Sequence, residues 1–171
     1  MPGTRTLFGV GVVVRSDDGQ VLVGRRYAEP GAPLALPGGK PEAGETIEQC
    51  AVRELAEETG LVLDVAGART YACVLMDGDE ESWAVAGVET LLGAGAAQVN
   101  PRELEPEKFG GFCWIDPAAP PERMFAATRA LLERLPARFC PGAARDVGRR
   151  ISRDRAPGVP RRSVDRARVC D

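Results

Sequence analysis

Three glutamates in one short segment, Glu54, Glu57 and Glu58, stand at relative positions i, i+3 and i+4. On a helix that spacing gathers side chains onto one side. Carboxylate oxygens with no His or Cys among them are what a hard divalent cation such as Mg²⁺ selects. Upstream lies the turn Leu36-Pro37-Gly38-Gly39, whose glycines let backbone carbonyls and amides approach a metal or a phosphate. Three acids held this close repel one another, so the arrangement makes sense with a counter-ion. A solvated acidic helix face would account for a bare Glu-x-x-Glu-Glu, but not for its setting. That setting reads Gly39, five residues, Glu45, seven residues, Arg53-Glu54-Leu55, one residue, Glu57-Glu58, one residue, Gly60-Leu61. The chain contains no histidine, which removes Ser-His-Asp and Cys-His mechanisms and any His-ligated metal. General-base work falls to a carboxylate, Glu54 or Glu58, or to water on the metal.

These residues need a helix and a frame. Thr46 with Gln49 three residues later is a capping-box start, and Gly60 suits the left-handed position past the helix end. Ile47, Ala51 and Leu55 make the expected buried stripe, with the three glutamates on a second face. Strands are expected at Leu7 to Arg15 and Gln20 to Arg26, around an Asp18-Gly19 hairpin turn. Leu34 to Leu36 is short and extended, and delivers the chain to the Gly-Gly turn. Further strands are expected at Ala68 to Met76, Ser82 to Leu92 and Phe112 to Ile115. A loop runs from Gly93 to Gly111, and a second helix over Glu122 to Leu135.

The 171 residues with 44% apolar content suit one compact domain. Charge is uneven. Residues 1–135 hold 12 Lys+Arg against 21 Asp+Glu, whereas residues 136–171 hold 10 against 4. We therefore expect a domain over 1–136 and an Arg/Pro-rich tail over 137–171, largely disordered, with a short helical turn near Asp146 to Arg153. The tail is read as solvated rather than as a nucleic-acid contact. No run of 18 apolar residues and no signal-peptide pattern occurs, so no membrane partner is expected. The five cysteines are odd in number and lack Cys-x-x-Cys, which suits reduced thiols in a cytoplasmic protein. Cys50, Cys73 and Cys113 are expected in the core.

Gly39 to Leu61 matches the Nudix box with every fixed position kept. From Gly9 to about Leu135 the chain resembles the MutT-type nucleoside-triphosphate diphosphatases, in particular the group hydrolysing dGTP, oxidised dGTP and thiopurine nucleotides. Outside the box the likeness rests on Gly9-Val10-Gly11-Val12-Val13-Val14, Leu36-Pro37-Gly38-Gly39, Leu104-Glu105-Pro106-Glu107-Lys108, Trp114, and Met124-Phe125 with Arg129. The resemblance implies an α/β Nudix fold, a mixed β-sheet sandwiched between helices. It implies Mg²⁺, with Mn²⁺ as a substitute, held by Glu54, Glu57, Glu58 and the Gly38 carbonyl, with Glu105 or Glu107 adding a ligand. It also implies that Arg53 and Glu45 pair across the loop and brace it. Lys40, Arg25, Arg26, Phe125 and Thr128 are the substrate-binding candidates.

The implied reaction turns a nucleoside triphosphate into the monophosphate and pyrophosphate. Lys40 stands where the resembled group usually has His, and Ser82-Trp83-Ala84-Val85 lacks its Tyr and Thr pattern. Ala126 and Thr128 replace the Trp and Leu of its purine pocket, which implies broad cleavage with weak base preference. The alternatives are a prenyl diphosphate or nucleotide-sugar hydrolase and, from a different class, a binding module without catalysis. A homodimer is compatible with the reading.

Overall fold

The computed structural model describes residues 5–78, 81–91 and 100–136. Its order is β1 (Arg5–Arg15), β2 (Val21–Arg26), β3 (Leu34–Ala35), α1 (Ile47–Thr59), a 3-10 turn (Val65–Gly67), β4 (Ala68–Met76), β5 (Glu81–Leu91), β6 (Phe109–Ile115) and α2 (Ala126–Leu132). The strands form one mixed sheet in the order β3-β2-β1-β5-β4, with β6 also paired to β2. β1 and β5 run parallel in unbroken register from Arg5↔Glu81 to Arg15↔Leu91. The other pairs are antiparallel. This is the expected α/β sandwich.

The central strand shows why both faces are covered. Val12, Val13 and Val14 are all buried, because successive side chains enter opposite layers. Val10, Val12 and Val14 meet Cys50, Ala51 and Leu55 of α1, while Val13 meets Leu131 and Leu132 of α2. Helix α1 starts at the expected capping box: Gln49 N donates to Thr46 Oγ1 at 3.2 Å and Thr46 N to Gln49 Oε1 at 2.8 Å. It ends at Gly60, in the left-handed region at φ 72. Caps of this kind contribute about 1 kcal/mol each. At the far end of β1, Arg15 pairs with buried Glu89 at 2.6 Å and donates to Pro136 O at 2.7 Å, tying Pro136 to the sheet.

Several expectations are corrected. The second helix begins at Ala126, not Glu122. The chain before it instead pairs with β3: Phe125 N donates to Leu34 O at 2.8 Å and Leu34 N to Arg123 O at 3.1 Å. Tertiary pairing overrides the local apolar pattern there. β6 starts at Phe109, three residues early, because it extends along β2 to Arg26. Cys50 and Cys113 are buried, but Cys73 is exposed on β4, at the end of the sheet order. Cys113 is disulfide-bonded, so the thiols are not all reduced as sequence spacing suggested. Spacing along the chain cannot exclude a pair that folding brings together. The tail expectations lie outside the described residues. Among the described residues no helix is long and apolar enough to cross a membrane.

Candidate active site

The Gly-Gly turn is tied to both flanking layers. On the β1 side, Val12 N donates to Pro37 O and Val10 N to Gly39 O, each at 2.8 Å. On the α2 side, Leu36 N donates to the buried Thr128 hydroxyl at 3.1 Å. Any side chain on Gly38, which has φ +149, would overlap the Val10 carbonyl, and one on Gly39 would overlap the Glu54 carboxylate. Glycine is therefore required at 38, while at 39 it lets the Glu54 carboxylate lie directly against the backbone. Gly38 N donates to Glu58 Oε2 at 2.9 Å. The turn thus sits directly on two of the three glutamates.

Glu58 is the buried member, 9% exposed at the edge of the α1 stripe. This corrects its placement on a separate polar face. Leu55 and Thr59, three before and one after it, point inward, and the buried stripe is wide enough to take in position 58. Burial pushes the Glu58 carboxyl up to about 8, opposed by the Gly38 N–H and reinforced by the charges of Glu54 and Glu105. Burial also raises Glu54, against the pull of Arg53. Carboxylates whose charged forms are disfavoured by burial and by one another form a site that a cation would relieve.

Arg53 meets the acids from the other side. Its Nε and Nη2 grip Glu45 in a bidentate pair at 2.7 and 3.0 Å, and Nη1 reaches Glu54 and Glu57, each at 3.0 Å. Nη2 also donates to Lys40 O at 3.1 Å. One planar guanidinium thus joins α1 to the loop before it, using geometry that Lys lacks. Its hydrogen bonds hold Glu45 down to about 2. Glu57, 53% exposed, lies on Arg53 rather than beside Glu58. Among the described residues no group of three or more acidic, Cys or His side chains converges closely enough to hold a metal as placed. Binding a cation through all three glutamates requires Glu57 to swing off Arg53.

Glu105 arrives from a distant part of the sequence. Arg102 N donates to Thr59 O at 2.8 Å and Leu104 N to Glu58 O at 3.3 Å, so this segment caps the last carbonyls of α1. Glu105 is then close enough to influence both Glu54 and Glu58, and it holds Lys108 Nζ at 3.1 Å. Glu107 is exposed.

The substrate-binding candidates divide. Arg26 faces the site: its guanidinium lies 4.7 Å from the Phe125 ring centroid and its charge reaches Glu58. Arg25, its neighbour along β2, runs beside Gly111 instead. Thr128 is 3% exposed, with its hydroxyl on Leu36 N, so it braces the turn instead of lining a base pocket. Lys40 places its ammonium 5.2 Å from the centroid of Trp83. The sequence marks Trp83 only within Ser82-Trp83-Ala84-Val85, as a departure from the resembled group's pattern, because its contact with Lys40 exists only once two distant segments meet. Nor does it reveal the Thr128 tether, which depends on residues 92 positions apart.

With this geometry, comparison with known proteins gives the family. The chain belongs to the NUDIX domain family, whose model matches residues 5–135. Within that family its likeness is to proteins of the MutT type, and Nudix hydrolases generally use divalent metal ions. The crystal structure of a MutT NUDIX hydrolase from Burkholderia pseudomallei superposes with a TM-score of 0.66 at 27% identity, covering 77% of this chain and 99% of that one. The 8-oxo-dGTP diphosphatase of Escherichia coli (strain K12) is 43% identical over 51 residues, 29% of this chain and 40% of that protein. An RNA pyrophosphohydrolase of Edwardsiella ictaluri is 27% identical over 150 residues, 76% of this chain and 80% of that protein. The match thus spans less than half the length of the Escherichia coli relative.

Proposed function

We propose that the protein is a Mg²⁺-dependent pyrophosphohydrolase that converts a nucleoside triphosphate to the monophosphate and pyrophosphate. The observation that carries this reading is the pair Glu54 and Glu58 pressed against Gly39 and Gly38, one half-buried, one buried, both with raised carboxyl pKa. The donor set fits the ion: it is all oxygen, and acidic. Glu54, Glu57, Glu58, Glu105 and the Gly38 carbonyl would hold it. When bound, Mg²⁺ neutralises the polyphosphate and lowers the pKa of a coordinated water.

The chain's own residues do the rest. The Gly38 N–H holds the Glu58 carboxylate in one orientation. Arg53 keeps Glu54 and the Gly39 loop at a fixed separation, with Glu45 as its anchor. Glu54 or Glu58 takes the proton of the attacking water. Arg26, already at the site with a buried Nε that lacks a hydrogen-bond partner among the described residues, supplies donors to phosphate oxygens. The relatives support nucleotide-type substrates: the Escherichia coli protein is named for 8-oxo-dGTP and the Edwardsiella one for RNA.

Glu58→Gln tests the assignment, because it keeps an acceptor for Gly38 N and removes only the charge. Hydrolysis should fall at least about a hundredfold, as when one main charge-stabilising group is lost. Wild type and variant are screened with Mg²⁺ against nucleoside triphosphates, 5′-triphosphate RNA, nucleotide sugars and geranyl diphosphate, scoring monophosphate and pyrophosphate separately. Near-normal turnover by a folded Glu58→Gln protein would refute the site. Efficient cleavage of geranyl diphosphate or a nucleotide sugar, with triphosphates ignored, would refute the substrate.

A further inference from the structure

We propose that Trp83 is the platform on which the substrate's nucleobase stacks, and that Lys40 covers this platform until substrate displaces it. The proposal rests on the nucleotide reading above and names the residue that enforces it.

Trp83 opens β5 between Leu7 of β1 and Met76 of β4. Beside it β1 carries Gly9, which leaves backbone where a side chain would touch the ring. A Cβ at Gly9 would lie 3.8 Å from the six-membered part of the indole and 3.6 Å from the Gly39 carbonyl. The indole therefore rests against bare backbone, next to the turn that carries the catalytic glutamates. Gly39 lies against the Glu54 carboxylate, and its carbonyl lies beside Gly9, whose other neighbour is the Trp83 indole. For a phosphate held at Glu54 and Glu58, the Trp83 ring is the nearby aromatic surface, reached past Gly39 and Gly9.

The indole is only partly buried, unlike Trp114, which is 8% exposed in the α1 layer. What covers it is the exposed Lys40, a cation over a π-face. Such a contact at an exposed position is weak, so the cover is easily exchanged. A nucleobase offers a larger flat surface to the same face, worth about one to two factors of ten in affinity. An anionic polyphosphate offers the displaced ammonium a stronger partner. Both halves of a nucleotide thus favour the exchange, base onto Trp83 and Lys40 onto phosphate. A prenyl chain has isolated double bonds but no aromatic ring to stack, and a phosphosugar has no base. The pair therefore selects an aromatic group, and because every base has a π-face it selects weakly among bases.

The native full chain with Mg²⁺ provides the first test through its own fluorescence. Nucleoside monophosphates should quench the indole emission saturably, ribose 5-phosphate should not, and Trp83→Phe should lose most of the quench. The second test is kinetic. Trp83→Leu should raise KM for nucleoside triphosphates about tenfold or more, with kcat changed far less, while Trp83→Phe recovers most of the loss. Equal quenching by ribose 5-phosphate, or a wild-type KM in Trp83→Leu, overturns the platform while leaving the nucleotide reading intact. Failure of that reading shows separately, as a wild-type enzyme that cleaves no triphosphate at all.

Discussion

Replacing the Thr128 hydroxyl by a methyl, Thr128→Val, changes almost no volume and removes one hydrogen bond. The structure says what that bond holds. Leu36 N loses its acceptor at a position where both residues are buried. A buried donor left without a partner costs about 1–3 kcal/mol. For a domain of this size that is a fall in melting temperature of roughly 5–10 °C near the middle of the range. Thr128→Ser is the control: it keeps the hydroxyl and removes a buried methyl, worth about 0.8 kcal/mol. The functional consequence follows from the next residues along the turn. Pro37, Gly38 and Gly39 are held by Val12, Glu58 and Val10. A turn released on its α2 side presents Gly38 to Glu58 less often, so kcat should fall about tenfold in Thr128→Val and less than threefold in Thr128→Ser, corresponding to about 1.4 kcal/mol of lost transition-state stabilisation. Urea unfolding and steady-state kinetics on the three proteins decide it. A Thr128→Val enzyme as stable and as fast as Thr128→Ser would show that the hydroxyl braces nothing.

Other outcomes follow from the same geometry. The metal-free protein should lose stability as pH rises from about 5 to 8.5. Glu58 has a folded pKa of about 8, above the ordinary 4.5, so its contribution is complete below pH 4.5 and vanishes through pH 8. Thermal melts should show this slope flattened by Glu58→Gln and opposed by added Mg²⁺. Glu45 runs the other way: held at about 2, it contributes stability above pH 4.5 that is lost as pH falls through 2. Arg53→Lys cannot keep the bidentate grip on Glu45 while also reaching Glu54 and Glu57, and should lower turnover at least about tenfold with a modest fall in melting temperature. Gly39→Ala should fold but displace Glu54, giving weakened metal binding by calorimetry; unaltered affinity would contradict the close approach. A chain ending after Pro141 retains the Arg15 contact to Pro136 and should keep its activity and melting point, and loss of more than about half of either would show that the tail docks on the domain.

Much of this protein is determined by local pattern. Helix α1 runs between the capping box at Thr46 and the left-handed Gly60, and both ends are readable because caps depend on a few neighbouring residues. The Arg53 and Glu45 pair and the Gly-Gly approach belong to the same short stretch. β4 spans Ala68–Met76 as its β-branched and aromatic content indicates. Other features exist only once distant segments meet. Whether Glu58 faces solvent or core depends on β1 and the Gly38 turn closing over it, and its pKa changes accordingly. Glu105 becomes a neighbour of Glu54 and Glu58 because Arg102 and Leu104 cap the end of α1. Thr128 is a brace and not a pocket wall because β3 draws residues 123–125 out of the second helix and sets α2 against Leu36. Trp83 meets Lys40 because the turn after Gly39 packs beside Gly9 of another strand. Periodicity records which way a residue points along its own element, whereas burial and charge coupling depend on what packs opposite, and that is decided only by the assembled sheet and the helices packed on it.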